Sequence, residues 1–159
     1  MASNRPSDFL KRAIELAVEN ARSGSGGPFG AVVVKDGAIL AEGVNQVTSS
    51  NDPTAHAEIV AIRKACRKLG SFQIEDCEIY TSCEPCPMCL GAIYWARPRE
   101  VWFGATRRDA ARAGFDDDLL YRQLRRPPGR RRIPMRGRMR RQALRAFEEW
   151  EARPDRIPY

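Results

Sequence analysis

Apolar residues recur at helical spacing over residues 6 to 22, where Phe9, Leu10, Ala13, Ile14, Ala17 and Val18 share one stripe of PSDFLKRAIELAVENAR. The pattern predicts an amphipathic helix with one buried face and Ser7 as its N-cap. The glycine-rich GSGGPFG (24 to 30) ends it, and two apolar runs in AVVVKDGAILAEGVN then flank Lys35-Asp36-Gly37, a hairpin signal. A second helix is expected from about Thr54 to Leu69, with Pro53 near its first turn and Gly70 as its stop. CEIYTS (77 to 82) reads as a strand, about Met88 to Ala96 as a short helix after a Cys/Pro-rich turn, EVWFG (100 to 104) as a strand and TRRDAARAG (106 to 114) as a small-residue helix. Beyond 115 the pattern weakens: QALRAFEEWEA (142 to 152) is the clearest helix, and RPDRIPY reads as an extended tail. The order α, β, β, α, β, α, β, α implies an α/β fold with a mixed sheet and helices on both faces.

Composition narrows the class. A chain of 159 residues, 43% hydrophobic and 30% charged, fits one domain spanning 1–159, with a core of about 6–114 and C-terminal helices and tail at about 115–159. Its longest uncharged apolar stretches, such as AVVV and LGAIYWA, fall short of the roughly 20 residues of a membrane helix. Charges scattered through MASNRPSDFLKRAIELA argue against a signal peptide, so a cytoplasmic protein is expected. In that setting five cysteines indicate reduced thiols or a metal rather than a disulfide framework.

The net charge of +7 is local. Residues 1–104 hold 11 Lys+Arg against 12 Asp+Glu, whereas residues 105–159 hold 16 against 8. Between Arg122 and Arg145 stand 11 arginines and no acid. A phosphate-binding stripe is one reading. The stretch has no interleaved aromatics of the kind that stack on single-stranded bases, and a chain using 23 Arg to 4 Lys acquires such runs by composition, so a solvated surface is the better reading. The glycine-rich loop at 24 to 30 precedes a strand and is followed by no Lys-Ser/Thr, which excludes a P-loop.

The candidate chemistry lies at two predicted helix starts, His56-Ala57-Glu58 and Pro85-Cys86-Pro87-Met88-Cys89. One imidazole and two thiolates supply three ligands for one Zn2+ and leave a fourth position open. A helix N-terminus lowers a cysteine pKa and favours the thiolate. Glu58, two residues past His56, is placed to reach the open position and move protons there. Because His56 is the only histidine, its replacement should remove the metal site. A closed structural site that also uses Cys83 is the rival; Cys66 and Cys77 read as ordinary thiols.

The H-x-E…P-C-x-x-C pattern is the known signature of zinc deaminases, and at these residues the chain resembles the cytidine deaminase-like superfamily. GGPFGAVVVKDGAILAEGVN, TSSNDPTAHAEIVAIRKAC and YTSCEPCPMCLGAIYWARP carry that resemblance; YWARP, AGFDDDLLY and the C-terminal tyrosine narrow it to the bacterial guanine deaminases. The resemblance implies a three-layer α/β/α fold around a mixed five-stranded sheet. It implies zinc ligands His56, Cys86 and Cys89, Glu58 as principal proton shuttle and Asp117 as a second. It further implies a substrate-binding set of Asn45 at the base edge, Phe29 and Trp95 as aromatic walls, Ala57, and Tyr159 capping a partner's pocket in a homodimer with swapped C-terminal segments. The expected reaction is zinc-dependent hydrolysis of guanine to xanthine and ammonia, with a small nucleobase as substrate. Deamination of guanosine or cytosine, a transfer-RNA adenosine deaminase, and a nucleic-acid-binding module with a structural zinc remain open. The arginine density of 122–141 departs from the family pattern.

Overall fold

The computed structural model describes residues 6–159. Its first unit runs to Asp118 and its second covers Leu119–Tyr159. In the first, α1 (Pro6–Ser23) leads to strands β1 (Gly30–Lys35) and β2 (Ala38–Val44), a one-turn helix α2 (Val47–Ser50) and α3 (Ala57–Leu69). β3 (Cys77–Cys83), α4 (Pro87–Ala96), β4 (Glu100–Ala105) and α5 (Arg107–Arg112) follow. The strand order is β2-β1-β3-β4, with β1 antiparallel to both neighbours and β3 parallel to β4.

The central strand explains the layers. β1 is apolar at consecutive positions because both its faces are buried, and its side chains divide by parity. Ala31 and Val33, with Ile79 of β3, pack against Ala57, Ala61 and Ala65 of α3 and Ile93 of α4. Val32 and Val34, with Tyr80, pack against Phe9, Ala13 and Leu16 of α1. This is the expected α/β/α sandwich. Asp36 (φ 50°) and Gly37 (φ 74°) form the left-handed pair that a two-residue hairpin requires.

Several boundaries differ from expectation. The sheet among the described residues has four strands, not five. Beyond β4 the chain offers no alternating apolar run, and Pro127, Pro128 and Pro134 remove ladder donors there. α3 begins at Ala57 rather than Thr54, since residues 51–55 form turns in which Asp52 accepts the Thr54 N–H at 2.8 Å. Ser7 lies inside α1 rather than capping it, because the helix already includes Pro6. One glycine is essential to the approach of α3: a Cβ on Gly43 of β2 would lie 2.2 Å from the Ala57 carbonyl oxygen and 2.6 Å from the Ala61 nitrogen.

α6 (Asp118–Leu124) crosses into the second unit, where a 3-10 turn (Pro128–Arg130) and α7 (Arg140–Ala152) follow. No residue of 119–159 is buried, and Phe147, Ile157 and Tyr159 are among its exposed apolar side chains.

Candidate metal centre and active site

His56 is the N-cap of α3 and Cys86 the N-cap of α4, each in extended conformation just ahead of the first helical residue. Pro87 occupies the first turn of α4, where its missing N–H costs nothing, and the Cys86 sulfur accepts the Cys89 N–H at 3.5 Å. Two helix N-termini therefore converge on one point, and their dipoles favour anionic ligands there.

His56, Cys86 and Cys89 place one ligand atom each within 4.8 Å of one another. His56 Nδ1 lies 3.6 Å from the Cys86 Sγ and 3.5 Å from the Cys89 Sγ. A tetrahedral ion with Zn–N of about 2.0 Å and Zn–S of about 2.3 Å sets such atoms about 3.5 Å apart, so the donor set fits zinc in both chemistry and spacing. The Cys89 thiol beside it, aided by His56, pulls the Cys86 pKa down to about 4 against the effect of burial. The Cys89 thiol moves upward for the reciprocal reason, and contact with Cys86 raises His56. Cys83 takes no part. Its sulfur points to the Thr106 carbonyl at 3.7 Å and is not among the ligand atoms that come together, so the closed four-ligand alternative is not favoured.

Glu58 sits in the first turn of α3, 5% exposed, with burial raising its pKa above the ordinary carboxylate range. Its Oε2 accepts from the Cys89 sulfur at 3.4 Å and its Oε1 from the Thr81 hydroxyl at 3.1 Å. Thr81 was not anticipated. It shares the α3-facing parity of β3 with Ile79, and a polar residue at an inward position of a fully buried strand is the signal that could have found it.

A cavity of about 220 Å³ opens over these groups, lined by Gly27, Phe29, Asn45, His56, Glu58 and Asp117 among others. That is below the roughly 300 to 1,000 Å³ of drug-sized sites and suits a single heterocycle. The acidic run divides its work: Asp116 accepts the Asp118 N–H at 2.9 Å and starts α6, while Asp117 lines the cavity with its pKa raised by burial and by Cys86. Phe29 meets Phe115 edge to face, centroids 4.9 Å apart. Phe115 also lines the cavity, whereas Trp95 is 63% exposed on α4 and is not among the residues lining it. Ala57 is fully buried in the core behind the site, and Tyr159 lies in the second unit.

Residues 3–105 match the family model described as the cytidine and deoxycytidylate deaminase zinc-binding region. The chain is 60% identical to the guanine deaminase of Bacillus subtilis (strain 168) over 142 residues, 89% of this chain and 91% of that one. The solved structure of guanine deaminase from Bacillus subtilis superposes with a TM-score of 0.95 at 55% identity, covering 98% of this chain and 99% of the other. The tRNA-specific adenosine deaminase of Aquifex aeolicus (strain VF5) is 43% identical over 97 residues, 61% of this chain and 64% of that one. With its His, two Cys and buried Glu assembled around one point, the chain belongs to the cytidine and deoxycytidylate deaminase zinc-binding family.

Proposed function

We propose that this chain catalyses the zinc-dependent hydrolytic deamination of guanine to xanthine and ammonia. The observation that carries the reading is the convergence of His56, Cys86 and Cys89 at tetrahedral ligand spacing, with the Glu58 carboxylate against Cys89 on the wall of a one-base cavity. Similarity to a guanine deaminase over nine-tenths of both chains favours guanine, whereas the transfer-RNA enzyme matches less than two thirds of this one. A zinc ion held by the three ligands supplies Lewis-acid activation of a water at neutral pH. Glu58 takes the proton of the attacking water and returns it to a ring nitrogen as carbon 2 is attacked. Its burial raises its pKa above the ordinary carboxylate range, which favours its holding the proton between the two transfers. Glu58 or Asp117 then protonates the departing amine. Phe29 and Phe115 flank the base, and Asn45 reads its edge.

The same reading includes a single deaminase domain, a cytoplasmic location and a homodimer with swapped C-terminal segments, Tyr159 capping the partner's cavity. The swapped segment is supported by the lack of any buried side chain in 119–159, a stretch without a core of its own to hold α7. Turnover of guanine, guanosine, adenine, cytosine and cytidine by the zinc-loaded protein, with His56→Ala as control, tests the activity. Guanine is expected to be consumed and His56→Ala to be inactive; no guanine turnover, or preference for another base, rejects the proposal.

A further inference from the structure

Which groups a base-binding cavity accepts depends on which end of the Asn45 carboxamide it meets. Asn45 Oδ1 accepts the backbone N–H of Gly27 at 3.3 Å and of Val47 at 3.2 Å. Only an oxygen can take both, so the side chain has its NH2 left to offer the cavity it lines. An NH2 there reads an acceptor, such as a carbonyl oxygen, and meets an amino group unfavourably.

The backbone that sets this orientation is held from outside the cavity. Asn20 of α1 is 6% exposed, and its Nδ2 donates to the Gly27 carbonyl at 2.8 Å and to the Asn45 carbonyl at 2.9 Å. One carboxamide thus ties the glycine loop to the end of β2, the two segments that fix Asn45. The fit is close: a Cβ on Gly26 would lie 2.0 Å from the Asn45 carbonyl oxygen and 3.0 Å from Asn20 Nδ2.

We propose that Asn20 is a positioning residue for substrate specificity, clamping Gly27 and Asn45 so that the cavity presents a donor and selects a carbonyl-bearing purine edge over an amino-bearing one. This rests on the base-deaminase reading above. Without the clamp, the buried Asn45 carbonyl loses its Asn20 donor and the Gly27 carbonyl, which still accepts the Phe29 N–H at 2.8 Å, loses its tie to α1; the loop relaxes, and the Asn45 carboxamide gains the reversed orientation in which its oxygen accepts from an amino group.

The test compares KM and kcat for guanine with the inhibition constant of 2,6-diaminopurine, which carries an amino group where guanine has its carbonyl. It uses the zinc-loaded full chain, Asn20→Ala, and Asn20→Asp, which keeps the volume. In either folded variant KM for guanine is expected to rise about tenfold with kcat within about twofold. The discrimination against 2,6-diaminopurine should narrow about tenfold, the scale of one hydrogen bond, with zinc content unchanged. A lower melting temperature with unaltered discrimination overturns the proposal and leaves Asn20 a purely structural residue. Wild-type failure on guanine counts against the underlying activity, whereas wild-type turnover with unaltered discrimination in the variants rejects the role of Asn20 alone.

Discussion

Glu58 is a carboxylate kept where charge is unfavourable, and the Thr81 hydroxyl donates to it from β3. Glu58→Gln keeps its size and removes its proton chemistry. Activity is expected to fall about 10²- to 10⁴-fold with zinc retained and no drop in melting temperature, because a neutral amide replaces a desolvated acid. Full activity in a zinc-loaded Glu58→Gln protein would remove it from the mechanism. Thr81→Val keeps the shape and deletes the donor. A kcat about tenfold lower at unchanged KM, largely restored by Thr81→Ser, is the outcome that fits a role in aiming Glu58; that factor is the worth of one buried hydrogen bond. A shift in melting temperature alone would make Thr81 mere filling. His56, Glu58 and the cysteine pair were legible in the chain because their spacing is local. Thr81 and Phe115 were not, since each acts on a residue of another element.

Among the elements, α3 and α4 matter for where they begin, and β2 decides how close α3 can come. Gly43→Ala places a methyl group 2.2 Å from the Ala57 carbonyl. Such overpacking should lower stability by about 1 to 3 kcal/mol, and because His56 caps this helix, zinc should be lost at lower chelator concentration than in wild type. Thermal melts and zinc release measure the two effects together; a destabilised protein with unchanged zinc retention would separate the helix start from the site. Across the other face, Arg12 of α1 bonds Glu42 of β2 at 2.8 Å and 3.1 Å, and that hydrogen bond holds the Glu42 pKa below its ordinary 4.5. A depressed carboxylate pKa stabilises the fold above the unfolded value and loses that contribution as pH falls through the folded one. Both side chains are about a third exposed, so solvent screening leaves under about 1 kcal/mol. Glu42→Gln should therefore lower the melting temperature slightly at pH 7, with the difference shrinking as the pH falls below 4.5 and through the depressed Glu42 pKa.

For the whole molecule, the two sheet-packed clusters hold the core of the first unit without using any zinc ligand. Chelation is accordingly expected to abolish activity, with recovery on adding zinc, while the far-ultraviolet dichroism stays folded. An unfolded chain after chelation would instead mark the metal as structural. Truncation before Arg153 removes Tyr159 and tests the swapped-dimer proposal: guanine turnover should fall, and retained turnover would sink the capping role. Most residues lining the cavity, up to Cys86, come from the near-balanced part of the chain, and the one charged residue that 105–159 adds to it is the acidic Asp117, which agrees with a small neutral base as substrate.

What the sequence determined by itself was whatever depends on short separations: four strands, the main helices, the hairpin turn, and the ligand pattern at two helix starts. A fifth strand came from resemblance rather than from an alternating run, and the fold does not contain it among the described residues. The tertiary structure alone decided which residues meet across the sheet. It brought Thr81 under Glu58, set Phe115 rather than Trp95 against Phe29, sent Asp117 but not Asp116 to the cavity, and laid Asn20 behind Asn45 across 25 residues of chain. Periodicity reports which face of an element is buried. It does not report which atom of another element will lie opposite, because that follows from packing distances and strand register between segments far apart in the chain.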